Sequence, residues 1–136
     1  VKNKSGWARD IILAFQKQKI LVVGDLMLDR YIYGTATRIS PEAPVPVVRV
    51  MEEKNIPGGA ANVAGNVQSL GGHAMLSGIV GKDDEGKELI DVLGVGGMST
   101  DGVIVHPGVR TTVKTRILAE NQQVVRVDWD HQMNLQ

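Results

Sequence analysis

Two short stretches carry the residue types from which a ligand site can be built: Gly24-Asp25-Leu26-Met27-Leu28-Asp29 and Pro57-Gly58-Gly59-Ala60-Ala61-Asn62-Val63-Ala64. Glycine accepts φ > 0 and has no side chain to hold a ligand off. The amides opening the following helix point outward unpaired and favour anionic or hydroxylated groups. Asn62 adds a donor and an acceptor for a hydroxyl. Asp29 can accept hydrogen bonds from a pair of sugar hydroxyls, whereas Asp25 stands closer to the preceding strand and can bond backbone around the turn. Each residue also has a purely structural role open to it. A Gly-Gly pair before a helix serves equally as a tight turn or a close helix-strand contact, the aspartates can cap turns or pair with Arg30 or Arg38, and Asn62 can be a helix cap or a solvated residue.

These residues need elements to bring them together. Ile20-Leu21-Val22-Val23 is a continuous apolar run closed by Gly24, the pattern of a strand buried in a parallel sheet. Asp25 and Asp29 then follow the strand's carboxyl end, where ligands sit in open parallel sheets. Before it, Trp7, Ile11, Ala14 and Phe15 recur at helical spacing, which predicts a packing helix over Ser5–Lys17 with Ser5 as N-cap. Two strands are predicted at Tyr31–Gly34 and Val45–Met51. Pro41, Pro44 and Pro46 around them deny a full ladder of donors, so this part reads as edge strands or a flap. Val63, Ala64, Val67 and Leu70 predict a helix over Ala60–Leu70, ended by Gly71-Gly72. Met75–Val80 reads as a strand, Asp84–Leu93 as a helix, and Val103–Val105 as a strand. Thr111–Leu118 and Val124–Trp129 read as a hairpin turning through Glu120-Asn121-Gln122-Gln123, where Gln122 and Gln123 could touch ligand although hairpin-tip amides normally face water. Asp130–Gln136 carries no pattern and reads as a disordered or cut end.

Composition narrows the chemistry. Fifteen basic residues balance fifteen acidic ones, which leaves no net field to draw in nucleic acid or an anionic membrane, so a small molecule is the expected partner. The chain has no cysteine, which removes disulfides and thiolate chemistry. His73, His106 and His131 are too scattered to build a metal site. No leader pattern and no apolar run of about 20 residues occurs, and the expected location is cytoplasmic.

Taken together, Val22 to Tyr31, then Arg38-Ile39-Ser40-Pro41-Glu42-Ala43-Pro44-Val45-Pro46-Val47-Val48, then Pro57 to Ala64 resemble the ribokinase-like (PfkB-type) sugar kinases. The proline-rich stretch, with Asn121-Gln122-Gln123 and Arg126-Val127-Asp128, is most similar to the heptose 7-phosphate kinases among them. The resemblance covers about residues 20–130. It implies an α/β fold: the N-terminal half of a ribokinase-like domain, with a mainly parallel central sheet flanked by helices and a small β-stranded lid over about residues 31–57.

It also implies transfer of the ATP γ-phosphate, assisted by Mg2+, to the anomeric hydroxyl of D-glycero-β-D-manno-heptose 7-phosphate. The 1,7-bisphosphate so formed serves ADP-heptose and lipopolysaccharide core synthesis. Asp29, Gly58, Gly59 and Asn62 match the sugar-site residues of the family, and the lid builds a homodimer in many relatives. The sugar phosphate then needs cations, for which Arg38, Lys114 and Arg116 are the candidates. Gly78, Gly81 and Asp83 continue the signature and read mainly as turn formers.

The family's catalytic aspartate lies in a second, Gly-Ala-Gly-Asp signature beside the nucleotide pocket, and no such signature occurs in residues 1–136. The chain therefore reads as the sugar-binding and lid half of a kinase, with the ATP and Mg2+ sites and the base outside it and no catalytic residue within it. A sheet cut in this way exposes an apolar edge, and the isolated chain is expected to be poorly stable. The alternatives are a PfkB-type kinase for ribose, fructose phosphate or a nucleoside, and a non-catalytic sugar-binding module. A dinucleotide-binding domain is disfavoured, because Gly24 to Asp29 lacks Gly-x-Gly-x-x-Gly.

Overall fold

Among the described residues, seven strands form two sheets that meet at the glycine-rich segments, accompanied by three α-helices. The computed structural model describes residues 4–130. Strands β1 (Lys19–Val23), β4 (His73–Gly81) and β5 (Gly102–His106) form a parallel sheet in the order β1-β4-β5. Strands β2 (Leu26–Ile39), β3 (Pro46–Gly59), β6 (Thr112–Ala119) and β7 (Gln122–Trp129) form the other, in the order β3-β2-β6-β7. A β1-to-β4 crossover through α2 (Ala60–Ser69) is thus interrupted by the long hairpin β2–β3, and α3 (Asp84–Val95) carries the chain from β4 to β5.

The hairpin is the main departure from the sequence reading. The expected strands Tyr31–Gly34 and Val45–Met51 are the middle parts of two 14-residue strands, and Asp29, Gly58 and Gly59 all lie within the ladder. Pro41 and Pro44 sit in the connecting bends and Pro46 opens β3, while Pro57 is tolerated because β3 is an edge strand. The sheet bends at a register shift between Tyr33 and Gly34, where the Gly34 carbonyl accepts from Glu120 N–H at 2.9 Å. The second sheet also takes in β6 and β7, whose turn is tighter than expected: Glu120 has φ 56, and Gln122 and Gln123 already belong to β7.

The core lies where α2 and α3 cover one face of the parallel sheet and meet the second sheet. Leu28, Leu89 and Val80 are fully buried there, with Leu26, Ala61, Ala64, Leu76, Leu93, Met98 and Val113 around them. Helix α2 is rotated relative to the expected stripe. Ala61 and Ala64 face inward, while Val63 and Leu70 are exposed, because small side chains let the helix axis approach the sheet. Helix α1 (Lys4–Ala14) starts at Lys4, so Ser5 lies inside it rather than capping it. Its Trp7, Ile11, Ile12 and Leu13 are exposed instead of packed.

The other face of the parallel sheet has no helix among the described residues. Leu21, Val23, Met75 and Ile104 stand open on it, at 59%, 68%, 49% and 57% exposure. The expected apolar edge is present too, since the outer strands β1 and β5 expose Ile20 and Val105, and this apolar face adds to it. His131 and the other residues of 131–136 lie outside the described residues, so the expected disordered end is not addressed by the structure.

Asp83 shows why its signature is structural. Its carboxylate caps α3 by accepting from Gly86 N–H at 2.8 Å, and it also accepts from Thr111 N–H at 2.9 Å and Thr111 Oγ1 at 2.7 Å. Thr111 Oγ1 in turn accepts from Gly81 N–H at 2.9 Å, tying β4, α3 and the entry to β6 into one knot. Partial burial disfavours the charge. The hydrogen bonds from the Thr111 hydroxyl, Thr111 N–H and Gly86 N–H outweigh it and hold the carboxyl below its ordinary 3.8. A group whose folded pKa is depressed stabilises the fold above its unfolded pKa and loses that contribution as pH falls through the folded value. Asp83→Ala is accordingly expected to lower stability by about 2 kcal/mol at pH 7. In urea unfolding, the gap from wild type should shrink as pH drops below about 4.

Candidate sugar-binding site

The two sheets touch through bare backbone. Gly24 N–H donates to the Ser77 carbonyl at 3.2 Å, and Ala60 N–H, the first amide of α2, donates to the Asp25 carbonyl at 2.9 Å. Asp25 thus bonds through its backbone while its side chain stays exposed. Gly59 has φ 58, and a Cβ there would collide with the Asp25 carbonyl. A Cβ on Gly78 would lie 2.5 Å from the Gly24 carbonyl. Any side chain at these two positions would force the β1–β2 connection away from α2 or β4.

Gly58 is buried and lies beside Asp29 across the β2–β3 ladder. A Cβ on Gly58 would stand 2.6 Å from Asp29 Oδ2 and 2.8 Å from Met27 Cγ. The acid and the side-chain-free corner expected from the sequence therefore adjoin. The other carboxylate oxygen, Oδ1, accepts from the Arg116 guanidinium. This ion pair is half-buried, with side-chain exposures of 23% for Arg116 and 21% for Asp29. Hydrogen bonding to Asp29 raises the Arg116 pKa further, so the guanidinium stays charged throughout.

Alternation along the strands gives this face its chemistry. Arg116 stacks over Tyr31 at 5.2 Å, and Tyr31 stacks on Tyr33 at 6.2 Å between ring centres. Lys114 is in register with Asp29 on one side and Asp128 on the other. The result is an acid beside two cations and an aromatic platform, an arrangement able to take hydroxyls on the carboxylate and an anionic group on the bases.

A cleft of about 660 Å3 opens next to it, at the end of β1, beside the middle of β4 and at the starts of β2 and β6. Gly24, Asp25, Met27, Gly78, Arg110 and Lys114 line it, and its apolar floor is the helix-free face with Val23, Ile79 and Ile104. Arg110 was not marked by the sequence. It lies in the irregular segment before β6, where no periodicity fixes direction, and only its place one residue before Thr111 links it to the site.

Two expected residues stand apart. Arg38 pairs with Val47 near the far end of the hairpin, nine positions along β2 and on the order of 30 Å from Asp29. Within one chain it lies outside the corner. Asn62 is exposed on α2 and opens onto a separate groove of about 470 Å3 with Ile56, Pro57, Val92 and Met98. The described residues contain no group of three or more His, Asp or Glu side chains able to hold a metal.

The model of the pfkB family of carbohydrate kinases matches residues 17–136. The chain belongs to that family. The bifunctional protein HldE of Magnetococcus marinus is 50% identical over 115 residues, which are 85% of this chain and 24% of that protein. The HldE of Helicobacter pylori is 53% identical over 111 residues, 82% of this chain and again 24% of the relative. The chain thus spans about a quarter of the curated relatives' length. Among solved structures, a carbohydrate kinase from Agrobacterium tumefaciens superposes with a TM-score of 0.63 at 26% identity, over 82% of this chain and 35% of that one. A fructokinase with bound ATP from Xylella fastidiosa shares the fold at 23% identity and a TM-score of 0.57, over 82% of this chain and 30% of its own.

The close approach at Gly58 yields a direct check. Gly58→Ala leaves φ unstrained but drives a methyl against Asp29 and Met27, so the carboxylate must turn away. Sugar affinity is expected to fall by about tenfold while the fold persists. Titration of the sugar together with a circular dichroism melt measures both.

Proposed function

We propose that this chain is the sugar-binding and lid part of an ATP-dependent kinase that phosphorylates the anomeric hydroxyl of a heptose 7-phosphate, D-glycero-β-D-manno-heptose 7-phosphate, for ADP-heptose synthesis. The observation that carries the reading is the Asp29 carboxylate lying against the bare Gly58 backbone and braced by Arg116. A kinase for a hydroxylated substrate needs to fix several equivalent hydroxyls so that one faces the phosphoryl donor. A braced carboxylate does this, because its direction is set before the ligand arrives.

The phosphate of the substrate falls to Arg110 and Lys114, which line the adjoining cleft. The relatives' name, HldE, and the resemblance of the Arg38–Val48 stretch to heptose 7-phosphate kinases favour a heptose over ribose, fructose phosphate or a nucleoside. ATP, Mg2+ and the base that deprotonates the anomeric hydroxyl belong to the remainder of the kinase. We assign that remainder to the helix-free face of the parallel sheet, whose exposed Leu21, Val23, Met75 and Ile104 call for cover. The exposed Val50 and Met51 on β3, the edge strand within the lid, suit a homodimer through the lid. The proposed compartment is the cytoplasm.

Calorimetric titration of the full-length protein tests the assignment. Asp29→Ala is expected to weaken heptose 7-phosphate binding about 10- to 100-fold and leave ATP binding unchanged. Equal loss of both ligands contradicts the role of Asp29. Replacing Arg110 and Lys114 by Ala should weaken the phosphorylated sugar and spare its unphosphorylated form, and tighter binding of fructose 6-phosphate than of heptose 7-phosphate by wild type would move the assignment to another sugar.

A further inference from the structure

On the reverse face of β2, directly behind Asp29, Arg30 enters a closed polar network with three elements. Its Nε donates to Asn55 Oδ1 at 3.1 Å and lies 3.0 Å from Glu53 Oε1, both on β3. Its terminal nitrogen donates to Glu88 Oε2 on α3 at 3.1 Å. Asn55 Nδ2 completes the ring by donating to Glu88 Oε1. Arg30 and Asn55 are also a register pair of the β2–β3 ladder, so a single carboxylate on α3 grips both strands of the hairpin. Neither the cleft nor the Asp29 face includes Asn55 or Glu88.

We propose that Arg30, Asn55 and Glu88 are positioning residues. They latch the second sheet onto α3 and thereby fix the rotation of β2 that aims Asp29 at the sugar. Successive side chains on a strand leave it on opposite faces, so holding Arg30 from behind determines the direction of its neighbour Asp29 in front. α3 is itself anchored to the body, because Leu89, the next residue, is fully buried and Asp83 knots its N-terminus to β4 and β6. The latch therefore refers the sugar-binding carboxylate to the rigid core rather than to the long hairpin. An isolated exposed ion pair is too weak and mobile for this, but a carboxylate taking two donors and a guanidinium meeting three acceptors forms a network of fixed geometry.

The inference rests on Asp29 as a sugar ligand, and its test separates the two. In the full-length protein, Glu88→Ala is expected to speed amide exchange in β2 and β3 around Arg30 and Asn55, with β4 and β5 keeping wild-type protection. In steady-state kinetics the same variant should raise KM for the sugar about tenfold, leaving KM for ATP unchanged. Glu88→Gln, which keeps an acceptor for Arg30 but sets an amide donor against Asn55, should fall between wild type and Glu88→Ala in the sugar KM. Unchanged exchange in β2 and β3, exchange raised throughout the molecule, or equal shifts in both KM values would each overturn the latch. A wild-type protein that phosphorylates no sugar would overturn the functional reading instead, while the exchange pattern would still decide whether the network holds the hairpin.

Discussion

Backbone-to-backbone approach at the junction of the two sheets is the constraint on which the rest of the structure depends. Gly24, Gly59 and Gly78 let the exit of β1, the start of α2 and the middle of β4 meet without intervening side chains. The Ala60 N–H to Asp25 carbonyl bond and the Gly24 N–H to Ser77 carbonyl bond then close the junction. Since the hairpin β2–β3 leaves from this point and returns to it, the same contact sets where the second sheet emerges from the first. A methyl group at Gly59 or Gly78 would displace backbone, which cannot yield as a flexible side chain does.

The site divides its labour across the two faces of β2. The core-facing side carries Leu28 and Arg30, one sealed in the interior and the other tied to Glu88. The opposite side carries Asp29 and Tyr31, with Arg116 bonded to the first and stacked on the second. Core contacts and a polar face thus occupy alternate residues of one strand. Leu28 is sealed in the core and Arg30 is held by its ion pairs, so the strand stays ordered while Asp29 and Tyr31 keep the other side polar.

Much of this was legible in the residues. The apolar run Ile20–Val23, the Gly58-Gly59 pair and the position of Asp29 after β1 pointed to a corner at a strand end, and the structure brings the acid and the glycine together. What escaped was what depends on partners distant in sequence. The length of β2 and β3 was hidden because Met27, Asp29 and Gly58 look like loop residues until pairing fixes them as a ladder. The inward face of α2 was misjudged because Val63 outranks Ala61 in hydrophobicity, whereas close packing selected the smaller residue. Arg110, Asn55 and Glu88 carry no local pattern at all, and only the tertiary arrangement gives them a role. The separation of Arg38 from Asp29 follows from counting residues along β2, which runs unbroken well past the expected strand Tyr31–Gly34.

The parallel pairing of β2 with β6 imposes an order on biosynthesis. Asp29 leaves the ribosome 87 positions ahead of Arg116, so the carboxylate is exposed to solvent long before its cation exists. Until Thr112–Ala119 arrives, the hairpin β2–β3 is a two-stranded ribbon, a form marginal in water by itself, and its inner edge is open to any other nascent strand. Joining segments so far apart is slow relative to forming local helices. The face that carries Asp29 and Arg116 is therefore among the last parts of this region to mature, and its completion reports that α2, β4, α3 and β5 have already been made.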